Sequence, residues 1–473
     1  MRFHPFLCYF RDHVRRRPGA PALVWRGEAI TYAELDALAR EQSGVLAGLG
    51  LRPQDAVGIS AAKSPQAIAL LLACMEMRLR FCVPSAELPG AIKAELYERA
   101  GCRHVLTAGE PAKPAGHEPR GEADPGDVTF ILTTSGSTGV PKLVPLTAGA
   151  TGAFAEWAAG RFEIAPGTRV LSYAPLNFDL SLLDIWTTLR QGGCAVLVPP
   201  ENAVDGRRLS RLIAEHEVAV VQAVPMMFHL LARAAGDEPL PAVRHAVFTG
   251  DTAPPQVLAA AARLFPEARL YNLYGCTETN DSLLHEIDRD HLPEGPLPLG
   301  RPLPGVRVRL VRPDSGLLTG PGVGELHVST PFQSPGYLGG VEPGRFTGDG
   351  FFRSGDLVRR HADGTLTLEG RTDHHVKVRG LRVNTAEVER VLGRHDQVAE
   401  AAVVALPDPA AGHVLHAFIR RSGPLTSLDL RAHCAALLPP GAVPTVISIV
   451  EEALPRTSTG KIDRNHLKKA RQQ

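Results

Sequence analysis

The sequence predicts an α/β protein whose strands are largely parallel and buried, followed by a strand-rich stretch and a compact α+β unit. Three observations predict it. Short apolar runs, often β-branched and bounded by turn residues, recur at 56–60, 130–133, 195–198, 218–221 and 245–249. Runs of that length without polar alternation are strands covered on both faces. Longer stretches with helical spacing lie between several of them, for example 65–77 and 255–265, and this alternation builds parallel sheets. Composition is the third: 473 residues, 44% hydrophobic and 21% charged, suffice for one large domain and at least one smaller one.

In chain order, the basic run Arg11, His13, Arg15, Arg16 and Arg17 reads as the solvated face of an opening helix. The stretch 112–126, rich in Pro, Gly, Ala and charge, reads as a mobile surface loop. After about residue 300, strand-like segments at 306–311, 325–328 and 365–368 alternate with Gly/Pro/Asp turns, which suggests a meander or a small barrel. From Thr385 onward a helix (386–392), a strand (401–405) and a second helix (427–438) form the α+β unit, with the boundary expected within 369–373.

Charge and cysteine usage exclude several classes. With 51 basic against 50 acidic side chains there is no global field to attract nucleic acid or an anionic membrane, so anion binding must be local. Cys8, Cys74, Cys82, Cys102, Cys194, Cys276 and Cys434 stand singly, without C-x-x-C spacing for zinc, and read as reduced thiols of a cytoplasmic protein. The apolar start (1–9) is too short for a signal peptide, and no stretch of about 18 apolar residues occurs.

The chemistry begins at Thr133-Thr134-Ser135-Gly136-Ser137-Thr138-Gly139-Val140-Pro141-Lys142, directly after the apolar strand at 128–132. Glycines and hydroxyl residues there bring backbone N–H groups onto a polyphosphate without side-chain obstruction, and Lys142 adds a point charge. The spacing is not that of a Walker loop. Alone, the run is also compatible with a plain Ser/Gly turn.

It does not stand alone. The run resembles the signature loop of the adenylate-forming superfamily, which includes acyl-CoA synthetases, luciferases and the adenylation domains of nonribosomal peptide synthetases. Further matches follow in that family's order. They are Ile30-Thr31-Tyr32-Ala33-Glu34-Leu35, Asn177-Phe178-Asp179-Leu180-Ser181, and Asn272-Leu273-Tyr274-Gly275-Cys276-Thr277-Glu278. Gly324-Glu325-Leu326, Gly336-Tyr337 and Arg353-Ser354-Gly355-Asp356-Leu357 come next. Gly370-Arg371-Thr372-Asp373 then leads to Val376-Lys377-Val378-Arg379-Gly380, and Pro455-Arg456-Thr457-Ser458-Thr459-Gly460-Lys461 closes the series. The resemblance covers nearly the whole chain.

It implies an N-terminal domain (1–371) of parallel α/β subdomains plus a small β-barrel, and a small mobile α+β C-terminal domain (372–473) with Asp373 at the hinge. It implies ATP and magnesium as cofactors. Thr134, Ser135, Gly136, Ser137, Thr138, Gly139 and Lys142 would hold the β- and γ-phosphates, and Glu278 the magnesium. Tyr274 would lie on the adenine, with Gly250 and the Asn272 and Leu273 backbone at its edge. Asp356 would take the ribose hydroxyls, and Arg371 would reach the ribose or α-phosphate. Lys461 would be the catalytic cation bridging substrate carboxylate and adenylate, beside Thr277 and Arg371. By the same resemblance the C-terminal domain rotates after the first half-reaction, exchanging Lys461 for the loop near Gly380.

Asp179 carries the argument about the acid. A carboxylate in an apolar pocket is costly unless a cation meets it, and the matching aspartate of amino-acid-activating relatives pairs with the substrate ammonium. Its rival role is a cap on the helix beginning near Ser181. Carrying over the rest of the pocket gives Phe178, Leu180, Leu183, Gln222, Val247, Thr249, Leu273, Asp281 and Ser282. That is a mostly aliphatic wall with a polar end, leaving room for a hydroxyl or a cationic group. The last motif lies near the chain's end, so the expected acceptor is the phosphopantetheine arm of a separate carrier protein, as in stand-alone amino-acid ligases. An acyl-CoA ligase and a non-catalytic nucleotide-binding protein are the alternatives.

Overall fold

The computed structural model describes residues 5–109, 124–134, 141–234, 238–293, 295–312, 316–340, 342–372, 375–408, 412–455 and 462–472. The expected loop at 112–126 lies mostly outside them. The short apolar runs become strands of two sheets. Six parallel strands, Pro21–Trp25, Cys194–Leu197, Arg169–Ser172, Val220–Ala223, His245–Thr249 and Arg269–Cys276, form the centre of a nine-stranded sheet. Antiparallel strands close its two edges, Glu28–Thr31 on one side, Asn280–Ile287 and then Arg301–Pro302 on the other. A five-stranded sheet holds Cys102–Leu106, Ala56–Ile59, Arg80–Cys82, Val128–Thr134 and Lys142–Thr147 in that order.

Helices fill the space between the sheets. Pro65–Glu76 starts on Ser64, whose hydroxyl accepts the Ala67 N–H at 3.2 Å, with proline at the first position. Its residues 67–75 are buried all round, which matches its unbroken apolar sequence. One core runs through both sheets, joining Val57, Phe81 and Phe130 to Val170, Val247 and Leu273. The Thr31 to Glu34 motif proves architectural. Thr31 Oγ1 accepts the Glu34 N–H at 3.2 Å and Glu34 accepts the Thr31 N–H at 2.8 Å, a capping box. The buried Tyr32 hydroxyl then ties this helix to Gly193 O at 2.8 Å.

Beyond residue 300, the strands Arg307–Val311, Gly322–Ser329, Phe352–Arg360 and Leu366–Arg371 pair antiparallel in sequence order, a meander. The C-terminal region has a hairpin, His375–Val378 with Leu381–Asn384, and a three-stranded sheet of Val398–Asp408, Gly412–Arg421 and Val446–Val450. Helices Thr385–Gly393 and Ser427–Leu437 lie near the expected ranges. No helix of the described residues is long and apolar enough to cross a membrane, and none of the seven cysteines forms a disulfide.

The basic opening helix, Pro5–Arg16, departs from its expectation in part. Arg15 and Arg16 are solvated and pair with Asp12, but Arg11 pairs with Glu76 and His13 meets Arg190 O at 3.1 Å. The helix packs on the core along its Phe6, Leu7 and Phe10 side, and that drags two of its basic side chains inward.

Candidate active site

Strand pairing builds the first part of the site. Phe352–Arg360 and Leu366–Arg371 run antiparallel with Asp356 directly opposite Arg371. One Asp356 oxygen accepts a hydrogen bond from Arg371 Nη1, the other from the Tyr274 hydroxyl. Arg371 Nη2 also donates to Ser354 O at 2.9 Å, and Ser354 Oγ accepts the Asp356 N–H at 3.0 Å. Burial, together with the Asp356 charge, pushes the Tyr274 phenol well above its ordinary pKa and keeps it a donor. A carboxylate so fixed still has lone pairs for two hydroxyls. Asn272 Nδ2 donates to Pro298 O at 2.8 Å, anchoring the strand that carries Leu273 and Tyr274.

The second part lies on one face of the nine-stranded sheet. Register sets Gln222 beside Val247, Thr249 beside Leu273, and Gly275 opposite Asp281. Alternate residues of a strand share a face, so Gln222, Val247, Thr249, Leu273 and Asp281 line it together. Against that face packs a π-helix, Leu182–Thr187, whose Leu183 shares a core with Val247 and Leu273. Phe178, Asp179 and Leu180 lead into it. Asp179 is not its cap: the cap residue is Ser181, whose hydroxyl instead donates to Phe178 O at 2.7 Å. The Asp179 carboxylate takes a hydrogen bond from the Thr277 side chain, and burial pushes its pKa up. Ser282 stands apart from the rest. It is left unpaired at the register irregularity between Asp281 and Leu283, and its hydroxyl lies 3.2 Å from both Thr279 Oγ1 and Asn280 O.

The third part joins the end of the strand Val128–Thr134 to Glu278. Ser135, Gly136, Ser137, Thr138 and Gly139, like Asp373 and Lys461, lie outside the described residues. Thr134 pairs with Lys142 across the hairpin. Thr134 Oγ1 is buried and has no hydrogen-bond partner among the described residues. Lys142, 2% exposed, sits 2.7 Å from Glu342, with its Nζ 5.0 Å from the Tyr337 ring centroid. The Tyr337 hydroxyl donates to Glu278 Oε1 at 2.6 Å, and Glu278 is fully buried. No group of three or more His, Cys, Asp or Glu side chains fit to hold a metal occurs among the described residues. A cation at Glu278 would draw its other ligands from phosphate and water, which suits magnesium rather than a metal that needs an all-protein cage.

Two cationic residues were not singled out from the sequence. Lys377 reaches in from the C-terminal hairpin: its Nζ is 3.5 Å from Gly275 O and 5.7 Å from the Tyr274 ring centroid. The hairpin turn behind it has Arg379 at φ +50° and Gly380 at φ +82°, the left-handed pair of a tight two-residue turn. A Cβ on Gly380 would overlap Val224, and one on Gly250 would come within 3.7 Å of the Gly380 Cα. Only glycine allows this approach. The alternation Val376-Lys377-Val378, which turns Lys377 away from its two apolar neighbours, is the signal that could have found it.

Lys63 left no such signal. It is buried, and its ammonium donates to Tyr173 O at 3.1 Å and Ala174 O at 3.0 Å. Its charge is matched by Asp184 of the π-helix; burial pushes the Lys63 pKa down and the Asp184 pKa up, and each charge opposes the other's shift. Through these carbonyls Lys63 pins the segment that leads from the strand Arg169–Ser172 toward Asp179.

A sequence model described as AMP-binding enzyme matches residues 10–338, and one described as the AMP-binding enzyme C-terminal domain matches residues 387–461. An L-proline--[L-prolyl-carrier protein] ligase of Pseudomonas fluorescens is 32% identical over 95% of this chain and 96% of its own length. A phenyloxazoline synthase of a Mycobacterium species is 34% identical over 96% of this chain, which spans only 41% of that relative. The crystal structure of a Vibrio cholerae adenylation domain in complex with glycyl-adenosine-5'-phosphate superposes with a TM-score of 0.86. It covers 99% of this chain and 97% of its own length at 22% identity, a likeness of fold.

Proposed function

Because the chain belongs to the AMP-binding enzyme family, we propose that it uses ATP to convert an amino acid into an aminoacyl-adenylate, releasing pyrophosphate, and passes the aminoacyl group to the phosphopantetheine thiol of a separate carrier protein. The observation that carries this is Asp179, a carboxylate held by Thr277 at the mouth of an aliphatic pocket and not spent on capping a helix. It is placed to meet a substrate ammonium. The proline ligase relative, matched over nearly its whole length, supports the carrier protein as acceptor.

The residues divide the work. Two anions, carboxylate and triphosphate, must meet, so the task is positioning and charge neutralisation. Thr134 and Lys142, with Ser135, Gly136, Ser137, Thr138 and Gly139, hold the β- and γ-phosphates, and Glu278 would hold magnesium, whose charge would offset that of pyrophosphate. Tyr274, flanked by Gly250, Asn272 and Leu273, takes the adenine; Asp356 and Arg371 take the ribose side. Lys461 and Thr277 serve the reacting carboxylate. The hairpin at Gly380, seated against Val224 and Gly250, represents the arrangement for thiol transfer, reached by rotation about Asp373 between domains 1–371 and 372–473.

A pyrophosphate-exchange screen across amino acids tests the proposal. Exchange is expected with at least one amino acid, none with fatty or aryl acids, and none in Asp179→Ala or Lys461→Ala. Exchange driven by a fatty or aryl acid would instead identify an acyl-CoA ligase.

A further inference from the structure

We propose that the chain carries a second ligand site, outside the acid pocket, for a short aliphatic carboxylate without an ammonium group, with Arg190 and the Trp186 indole N–H as its donors. The site is a cavity of about 360 Å³, its open mouth included, where the π-helix Leu182–Thr187 meets the helices Pro5–Arg16 and Ala148–Arg161. None of the residues assigned above to the acid or the nucleotide lines it. Leu182 and Trp186 of the π-helix face the cavity, and Leu183, a member of the acid pocket, does not.

Two buried donors without partners converge there. Arg190 is 7% exposed and Trp186 4%, and both line the cavity. Arg190 Nε and Nη1 and the Trp186 Nε1 have no hydrogen-bond partner among the described residues. Arg190 makes no ion pair there either. Its guanidinium lies 4.3 Å from the Tyr9 ring centroid. Such stacking occupies the flat face of the group and leaves its N–H bonds, which point out in the plane, unspent. Trp186 is held by edge contacts with Phe6 and Phe130, at centroid distances of 5.6 and 5.5 Å, so its N–H is fixed in direction. A buried guanidinium is costly without an anion, and a buried N–H without an acceptor.

The lining sets the chemistry of the missing partner. It contains no acidic side chain. Of the acids on neighbouring elements, Glu76 is taken by Arg11, and the charge of Asp184 is set against Lys63. An ammonium would therefore meet nothing, which excludes a zwitterionic amino acid. Thr151 spends its hydroxyl proton on Thr147 O at 3.0 Å. The rest is apolar: Phe6, Met75, Phe130 and Leu182 form a wall, and the small residues Ala148, Gly152 and Ala155 leave the space in front of their helix open. A carboxylate head on the two donors with a short hydrocarbon tail along that wall satisfies every group.

The test follows the indole N–H signals of ¹⁵N-labelled full-length protein by NMR during titration with acetate, butyrate, hexanoate, 2-aminobutyrate and butylamine. Single Trp→Phe variants at Trp25, Trp157 and Trp186 assign the three signals. Butyrate or hexanoate is expected to shift the Trp186 signal with a Kd of about 1 mM or below. Affinity should rise by up to about 4-fold for each methylene that the wall covers, and 2-aminobutyrate should bind at least about 10-fold more weakly than butyrate. Arg190→Met, which keeps the stem and removes the charge, should weaken binding at least about 10-fold. A Trp186 signal that none of the carboxylates moves overturns the proposal. So does 2-aminobutyrate or butylamine binding as tightly as butyrate, or butyrate binding unchanged in Arg190→Met. The wild-type ranking decides the question even where that variant does not fold, and none of these readings depends on which acid the enzyme activates.

Discussion

The nucleotide end and the acid end of the site solve opposite electrostatic problems. At the nucleotide end, Asp356 is matched within one antiparallel sheet by Arg371 and by the Tyr274 hydroxyl, so the charge is compensated before any ligand arrives. At the acid end, burial pushes both Asp179 and Asp281 above the usual carboxylate range, and Lys377, the cation that opposes the shift, comes from the C-terminal hairpin. The first end is organised before any ligand binds. The second is left in electrostatic deficit, and its own ligand or a rearranging domain must make it good.

Breaking each end separately sharpens the contrast. The largest effect is expected for Asp179→Ala, which removes the proposed partner of the substrate ammonium. Amino-acid kcat/KM should fall about 10³-fold with little change in the KM for ATP. Asp356→Asn should do the converse, raising the KM for ATP about 10²-fold and leaving the ranking of amino acids intact. If either variant damages both constants equally, the two ends are one coupled unit.

Gly380→Ala tests the borrowed part of the acid end. A methyl there would overlap Val224, in a backbone region that favours glycine. The ratio of carrier-protein loading to pyrophosphate exchange should fall by about 10-fold, as measured by the two assays on one preparation. The smallest effect concerns stability. Asp281 has its pKa raised by burial, so the folded state binds the proton more tightly than the unfolded chain. Its favourable contribution is full below the unfolded pKa and is lost as pH rises through the folded one. Asp281→Asn, which is never charged, should therefore raise the Tm of ligand-free protein by about 2–4 °C at pH 8 and by less at pH 5, on a thermal-melt series.

Much of the site was legible because its residues lie in contiguous motifs. Tyr274, Thr277 and Glu278 sit within one turn and its leading strand, Asp356 ends a short polar run and Arg371 stands inside another, so local sequence and family resemblance reach them. Short buried strands such as His245–Thr249 were legible for a similar reason, since an apolar run between turn residues has few other uses. Lys377 and Lys63 were not, because what matters about them is a contact across 102 and about 110 residues of chain. The fate of the basic opening helix was likewise invisible. Whether Arg11 is solvated depends on Glu76 of another helix.

By itself the sequence determined the α/β class, the order of the motifs and the candidate site side chains, because periodicity and loop composition are local properties. Only the tertiary structure decided that Asp179 is free of any capping duty and hydrogen-bonded to Thr277, that Gln222 and Asp281 share one sheet face, and that a lysine from the C-terminal hairpin stands beside them. Those facts follow from strand register and from the docking of one region on another, and electrostatic balance in a buried pocket is the sum over neighbours that only folding brings together.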